Sequence, residues 1–314
     1  FIYNTTRNSW EVFMKKFSLF SIILFSYNLL LMGAVENITV SDNIIFTPDV
    51  SVSEVPEPED YGLNLDDFIV SDGNTRFERN TENKLSIGLL TTILRRPYYG
   101  AESDFSIYPL IEGKYNNFYV KPTTTDTVSG YIGGYNFYSD NQFIVSAITE
   151  YQLSKLASRE LASPYNKFIE SKDSEFYFGF SGKFIPDSNP DFMLAVEITK
   201  NFLNSGGGKF KVYGERYIGL TPDLQIIPAI SYTFLDKNYV DYFYGVPTNS
   251  SVPTFKNASG SKFGIHLDLN YSLGDNISFK SISSVEILSN DIAQSSLIAN
   301  NINMNIGLGL MYHF

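Results

Sequence analysis

Apolar residues occupy alternate positions in many short stretches of the chain between residue 84 and residue 314. In residues 302–314 every even position is apolar, whereas the odd positions are mostly polar or small. The same period of two recurs in residues 192–198 and 263–273. Successive side chains of a β-strand point to opposite faces, so the pattern predicts strands that each have one apolar face.

The alternation predicts twelve strands, at residues 85–93, 105–113, 118–123, 128–137, 143–152, 174–184, 191–201, 208–218, 224–236, 260–273, 277–287 and 300–314. Short and long connections roughly alternate between them. This arrangement is typical of a closed antiparallel transmembrane β-barrel with short periplasmic turns, long outer loops, apolar residues outward and polar residues inward. The connections at 124–127 and 202–207 are shorter than this plan requires. The number of strands could therefore differ from twelve by one hairpin.

Closure of such a barrel requires the first and last strands to pair, because a bilayer tolerates no open sheet edge. Tyr312 and Phe314 fall on the apolar face of the last strand, where they fit the aromatic girdle of the periplasmic rim. The stretch also resembles the C-terminal signature that the outer-membrane barrel assembly machinery reads, so we assign both residues to barrel closure and assembly. The alternative, a secreted sandwich or lectin-like domain, would need a second sheet to cover the apolar face.

The sequence before the barrel predicts export and a separate acidic segment. Residues 14–34 contain two lysines, an apolar run and a final Gly-Ala, which is the layout of a signal peptide, and residues 1–13 are expected to precede the true start. Residues 35–83 carry twelve acidic residues against two arginines, and we predict a weakly ordered periplasmic extension. It is either a solvated linker or a segment that docks a partner or plugs a pore. With a barrel at 84–314, these features predict the outer membrane of a Gram-negative cell.

Composition excludes several other classes of protein. The 314 residues include 26 Phe, 22 Tyr and no Cys, so the aromatic content suits a large sheet, and neither disulfides nor thiolate metal sites are available. The formal net charge of -11, without a basic patch, argues against binding to nucleic acid. The sequence shows no cluster of metal-ligating residues and no cofactor motif, and we predict neither a metal nor a cofactor.

Two segments carry a resemblance to a known family. The segment "RRPYYGAESDFSIYPLIEGKYNNFYV" (95–120) contains a Tyr-x-Gly loop, at Tyr98 and Gly100, and then Pro109 within a predicted strand. The segment "FLDKNYVDYFYGVPTNSSVPTFKNASG" (234–260) has an aromatic pair before Gly-Val, at Phe243, Tyr244, Gly245 and Val246. On these motifs, residues 84–314 resemble the MipA/OmpV family of outer-membrane proteins.

The resemblance implies a non-enzymatic outer-membrane barrel with a scaffolding role in the cell envelope, and a murein hydrolase or synthase as its partner. One segment departs from the family pattern. Ser295, Ser296 and Leu297 stand where the family often carries a Ser-Pro-Ile/Leu segment before the last strand, so the missing proline bears on the geometry of the last loop.

Two other functions stay open, a narrow porin-like solute channel and, less favoured, an outer-membrane lipid hydrolase. A channel requires an open lumen. The predicted inward positions include Glu197, His266, Asp268, Lys280 and Glu286. Their charges are of both signs, so the side chains could pair across a narrow lumen and fill it. A hydrolase would need a nucleophile with a histidine base. We predict instead that His266 is a lumen residue hydrogen-bonded near Asp268, with no nucleophile beside it, and that His313 lies at the rim.

Overall fold

The computed structural model describes residues 83–314, apart from residues 102, 124–129, 154–155, 157, 173, 204, 249–250 and 257. The predicted upstream residues 1–13, the signal peptide and nearly all of the acidic extension lie outside the described residues. Within the described part, no helix is both long enough and apolar enough to cross a membrane.

The described residues form thirteen β-strands. They are β1 (Lys84–Arg95), β2 (Ser103–Tyr115), β3 (Phe118–Pro122), β4 (Gly130–Ser139), β5 (Phe143–Gln152), β6 (Glu175–Phe184), β7 (Phe192–Asn201), β8 (Gly208–Arg216), β9 (Ile218–Thr221), β10 (Leu224–Leu235), β11 (Gly260–Ser272), β12 (Ile277–Leu288) and β13 (Ile302–His313). The long connections contain helices α1 (Lys237–Tyr244) and α2 (Asn290–Ala293), and two 3-10 turns at Ser158–Glu160 and Tyr165–Lys167.

The strands close into a single antiparallel barrel. Consecutive strands pair with each other except β8 and β9, and β1 pairs with β13 from Ser86–His313 to Arg95–Met304. Strands β8 and β9 both pair with β10, one after the other, and only Tyr217 separates them, so together they form one interrupted barrel strand. The barrel therefore has twelve strands, which confirms the predicted fold class.

Alternate residues of each strand face the membrane or the interior, as the sequence pattern predicts. Outward apolar side chains such as Leu89, Ile198 and Ile265 are more than half exposed, at 63%, 58% and 55%. Their neighbours Leu90, Glu197 and His266 point inward and are buried. An exposed apolar belt of this kind suits contact with lipid hydrocarbon and not with water.

Candidate functional site

The long connections pack together at one end of the barrel in an apolar cluster, which we call the cap. Its buried members are Tyr98, Ala101, Leu156, Leu161, Ile169, Tyr177, Leu235, Tyr239, Val240, Phe243, Tyr244, Val246, Leu288, Ile292, Leu297 and Ile298. Outer-membrane barrels carry their long loops on the outer side, so the cap lies at the outer end of the lumen.

The cap reaches across the mouth of the barrel. Its members Tyr177, Leu235 and Leu288 are inward residues at the loop ends of β6, β10 and β12. Around the barrel, β6 and β12 are five strands apart in one direction and seven in the other, so they stand on nearly opposite walls. A single contiguous cluster that touches both walls covers the space between them.

Helix α1 supplies a quarter of the buried cap residues, and the sequence analysis did not predict it. The helix begins after Asp236, whose Oδ1 atom accepts a hydrogen bond from the Tyr239 N–H at 2.8 Å, as an N-cap residue does. Tyr239, Val240, Phe243 and Tyr244 share one buried face. The signal was present in the sequence, since an N-cap aspartate precedes apolar residues at helical spacing.

The structure brings most of the family-motif residues together in the cap. Tyr98, Phe243, Tyr244 and Val246 are all buried there, and the ring centroids of Tyr98 and Tyr244 are 5.9 Å apart. Burial, reinforced by the neighbouring Tyr244, raises the pKa of Tyr98, so its hydroxyl stays neutral at physiological pH. Gly245 follows the last residue of α1.

Gly100 and Pro109 also lie outside this cluster and have different surroundings. Gly100 has a φ of +86°, and an added Cβ would lie 2.3 Å from the backbone nitrogen of Ala162, so only glycine fits this close approach of two loops. Pro109 lies on the membrane-facing side of β2, away from the cap.

The last loop, which has Ser296 where the family often has proline, is held by the preceding residue, Ser295. The Ser295 hydroxyl donates a hydrogen bond of 2.6 Å to the backbone carbonyl of Tyr244. Leu297 and Ile298 are buried in the cap, and Ile298 forms a β-bridge with Tyr98. The loop thus packs against both motif segments.

Two ion pairs inside the lumen join strands that are not neighbours. The Lys209 ammonium of β8 donates to both carboxylate oxygens of Glu150 on β5, at 2.8 and 2.7 Å, and it lies 4.1 Å from the centroid of the Tyr177 ring. The Lys280 ammonium of β12 donates a hydrogen bond to one carboxylate oxygen of Glu112 on β2. Each pair joins strands three positions apart around the barrel, so these side chains meet inside the lumen.

Neighbouring strands supply two further inward ion pairs. Lys211 lies 3.9 Å from Glu197, and Lys262 lies 2.9 Å from Glu286. Of the five inward residues named from the sequence, Glu197, Lys280 and Glu286 are therefore in ion pairs. Opposite charges in a partly desolvated space attract more strongly than in bulk water, so these contacts hold the lumen side chains in place.

The lumen is not uniformly polar, which corrects the expectation of polar inward faces. Three buried apolar clusters lie among the charges, namely Leu90, Leu110, Ile282 and Met311; Ile144, Ile185, Met193, Ala195 and Tyr213; and Tyr119, Ile132 and Ile148. In small barrels, side chains fill the interior. An interior side chain that contacts other side chains and not water can be apolar.

A polar cavity of about 260 Å³ occupies the end of the lumen near the short turns. Its lining includes the acidic and basic residues Lys84, Glu112, Lys121, Glu215, Asp268, Lys280 and His313. Asp268 is 5% exposed, and its Oδ1 atom has no hydrogen-bond partner among the described residues. Outer-membrane barrels have their short turns in the periplasm, so the cavity lies at the periplasmic end.

The two histidines of the barrel have serine partners. His266 points inward as predicted, and its Nε2 atom lies 2.8 Å from the Ser231 hydroxyl, a possible nucleophile that the sequence analysis missed. The pair fits because residue 264 is glycine, where a Cβ would approach both atoms within 2.6 Å. His313 bonds the hydroxyls of Ser86 and Ser278 at 2.8 Å each, which links β13 to β1 and β12.

Tyr312 and Phe314 lie on the outward face at the seam between β13 and β1. Their rings meet edge to face with centroids 4.9 Å apart, and both side chains are exposed. The Phe314 N–H donates a hydrogen bond of 3.0 Å to the Leu85 carbonyl, so Phe314 extends the ladder that closes the barrel.

In the described residues no group of three or more His, Asp or Glu side chains is placed to hold a metal ion.

A family model described as MltA-interacting protein MipA matches residues 87–314, which is nearly the whole barrel. The chain belongs to this family. Family membership, the closed barrel and its exposed apolar belt make it a protein of the outer membrane. No curated protein matches the chain.

The chain has distant similarities to several solved outer-membrane barrels. The KdgM porin in complex with disordered oligogalacturonate is 11% identical with a TM-score of 0.40, and the match covers 73% of this chain and 99% of that one. An outer membrane channel from Pseudomonas putida F1 is 9% identical with a TM-score of 0.41, covering 76% and 98% of the two chains. The NanC porin is 8% identical with a TM-score of 0.39, covering 72% and 98%. These similarities concern the fold alone.

Proposed function

We propose that this protein is a non-enzymatic scaffold of the outer membrane and that its periplasmic end binds a murein hydrolase or synthase. The cap is the observation that carries the proposal. Loops that cover the outer mouth, above a lumen held by ion pairs, favour a role in which partners bind the barrel over one in which solutes pass through it. The family is described by its interaction with MltA, which agrees with such a partner.

The periplasmic rim carries acidic side chains in four of its short turns. Asp140, Asp187 and Asp275 are exposed in three different short turns, and Asp223 is partly exposed in a fourth. Acidic side chains in these turns attract basic groups on a partner and steer its approach, although the basic Lys84 and Arg216 are also exposed at this end. We therefore expect the partner to dock through a basic face.

Binding of purified MltA to the folded barrel tests the proposal. We expect MltA to be retained by the immobilised wild-type barrel, and the Asp187→Asn/Asp275→Asn variant to bind about fivefold more weakly at low salt, because about 1 kcal/mol of charge attraction is lost. The matched control is Glu170→Gln/Asp291→Asn, which removes two exposed acids from the outer loops. Binding no stronger than to an unrelated barrel, or equal loss in the two variants, would contradict the proposal.

A narrow solute channel is the second candidate, and the polar cavity is the observation that favours it. Charges of both signs around about 260 Å³ could hold a small solute that enters from the periplasm. Passage through the barrel would require the ion pairs and the cap to part. We rank the channel below the scaffold for this reason.

The Ser231–His266 contact gives a lipid hydrolase little support. Its geometry is that of a nucleophile and a base, but Ser231 and His266 are only 3% and 2% exposed and point into the lumen. Neither residue lines the polar cavity. A substrate in the outer leaflet would have no route to the pair, so we interpret the contact as a structural hydrogen bond.

A further inference from the structure

The polar cavity at the periplasmic end holds a carboxylate whose cross-strand neighbours have no donor to offer it. Asp268 of β11 points inward, and it lies opposite Ile227 on β10 and Ile282 on β12. The side chain is 5% exposed, and its Oδ1 atom has no hydrogen-bond partner among the described residues. A carboxylate in apolar surroundings is unfavourable without a donor, so this group favours a cation that enters the cavity.

The lysine on the adjacent strand is directed elsewhere. The Lys280 ammonium donates to Glu112, and Lys280 lies opposite Asn270 in the register of β11 and β12. None of the ion pairs between described residues includes Asp268. The Asp268 carboxylate is therefore open to a ligand.

The charged residues around the cavity are separated by sign. In its lining, the wall from β8 to β11 contributes two acids, Glu215 and Asp268, and no basic residue. Besides His313, the wall from β12 through β1 to β3 contributes three lysines and one acid, which are Lys84, Lys121, Lys280 and Glu112. A cavity with an acidic and a basic wall is complementary to a solute that carries both charges.

The basic wall extends far enough around the barrel to face Asp268. Lys84 and Lys121 stand three and five strands away from Asp268, and opposite walls of a barrel of twelve strands are six strands apart. A cationic group bound to Asp268 would thus direct the rest of the solute toward the two lysines. Each ammonium has three N–H donors, so a lysine that already contacts the protein can still bind a carboxylate.

The cavity has room for a small molecule. Its volume is about 260 Å³, and one water occupies about 30 Å³ in the liquid, so the space equals about nine waters. Lys84 and Ser272 line the cavity and are exposed, which places its opening on the periplasmic side. Ile227 and Met311 add apolar surface to the lining.

We propose that the cavity is a binding site for a small zwitterion of the amino-acid type. Its ammonium group donates to Asp268, its carboxylate faces Lys84 and Lys121, and an aliphatic side chain contacts Ile227 and Met311. Burial strengthens the attraction at Asp268, because charges attract more in a partly desolvated space. Binding needs no passage through the barrel, so the site depends on neither the proposed scaffold nor the channel.

Leucine and two analogues test the site, with binding to the full chain in detergent micelles measured by saturation-transfer NMR. The analogue 4-methylpentanoate lacks the ammonium group, and 3-methylbutylamine lacks the carboxylate. We expect leucine to bind saturably, with a dissociation constant on the order of 1 mM or tighter, and each analogue to bind at least tenfold more weakly. No saturable binding of leucine, or an analogue that binds as tightly, would overturn the proposal.

Asp268→Asn keeps the size of the side chain and removes its charge, so we expect leucine to bind at least tenfold more weakly. Asp291→Asn removes an exposed acid from an outer loop and should bind leucine like the wild type. Heat-modifiable mobility checks that both variants fold. If Asp268→Asn does not fold, Ile227→Trp, which fills the cavity, takes its place. Equal affinity of the wild type and the cavity variant would overturn the proposal.

Discussion

At the scale of residues, charge pairing inside the lumen is the feature that sets this barrel apart from an open pore. Lys209 and Glu150 are 6% and 5% exposed and make two hydrogen bonds to one another. Burying either charge alone is costly, whereas the pair satisfies both groups. The same reasoning applies to Lys280 and Glu112 nearer the periplasmic end.

Lys209→Met should destabilise the folded barrel by about 3 to 5 kcal/mol, because it leaves the Glu150 carboxylate buried without its partner. Urea unfolding of the protein in vesicles, followed by gel mobility without heating, measures the change. The double variant Lys209→Met/Glu150→Gln should recover most of the loss. If the single variant is as stable as the wild type, the pair is not buried as described.

The aromatic pair at the closing strand makes a second prediction at this scale. Tyr312→Ala/Phe314→Ala removes an edge-to-face contact and its apolar area at the rim, and we expect about 1 to 3 kcal/mol less stability and a lower yield of heat-modifiable barrel. Phe105→Ala/Ile107→Ala removes lipid-facing area from a mid-strand position and serves as the control. Yields that fall equally in both variants would remove any special role of the closing strand.

At the scale of elements, the strands could be predicted from sequence and the loops could not. Strand ends agree with the prediction to within three residues, because one lipid-facing side forces strict alternation. The loop sequences that form the cap show no such alternation of apolar and polar residues. Its apolar residues come from several separate connections, so their meeting at Tyr98 and Tyr244 depends on tertiary contacts that local patterns do not encode. The Ser231–His266 contact was missed for the same reason, since 35 residues separate its members.

Gly100→Ala tests the cap as a packed element. The added methyl would meet the backbone of Ala162 in a loop whose φ is positive, so we expect the outer loops to loosen and protease cleavage within 153–174 to become at least several-fold faster. The barrel should keep its heat-modifiable mobility, because strand pairing is untouched. Gly274→Ala, in a short turn where a Cβ meets nothing within 4 Å, is the control. Unchanged cleavage would mean that the loops do not pack there.

At the scale of the whole molecule, the two ends of the barrel differ. The outer end is covered by apolar loop residues, whereas the periplasmic end has a polar cavity and a rim of exposed aspartates. This asymmetry suits a protein that is anchored by its barrel and presents its periplasmic end to partners. The orientation of the barrel, the pairing of its strands and its closure could be predicted from the sequence. The difference between the two ends could not, because it depends on how the loops pack.

Single-channel recording of the purified protein in planar bilayers tests the central claim, a closed barrel that works through its partners. We expect no stable conductance steps from the wild type, because the cap spans the outer mouth and ion pairs and apolar side chains occupy the lumen. The variant Tyr98→Ala/Phe243→Ala/Tyr244→Ala, which removes the centre of the cap, serves as a comparison in the same membranes. Reproducible steps from the wild type, lost when Asp268 or Glu197 is replaced by tryptophan, would contradict the account and establish a channel.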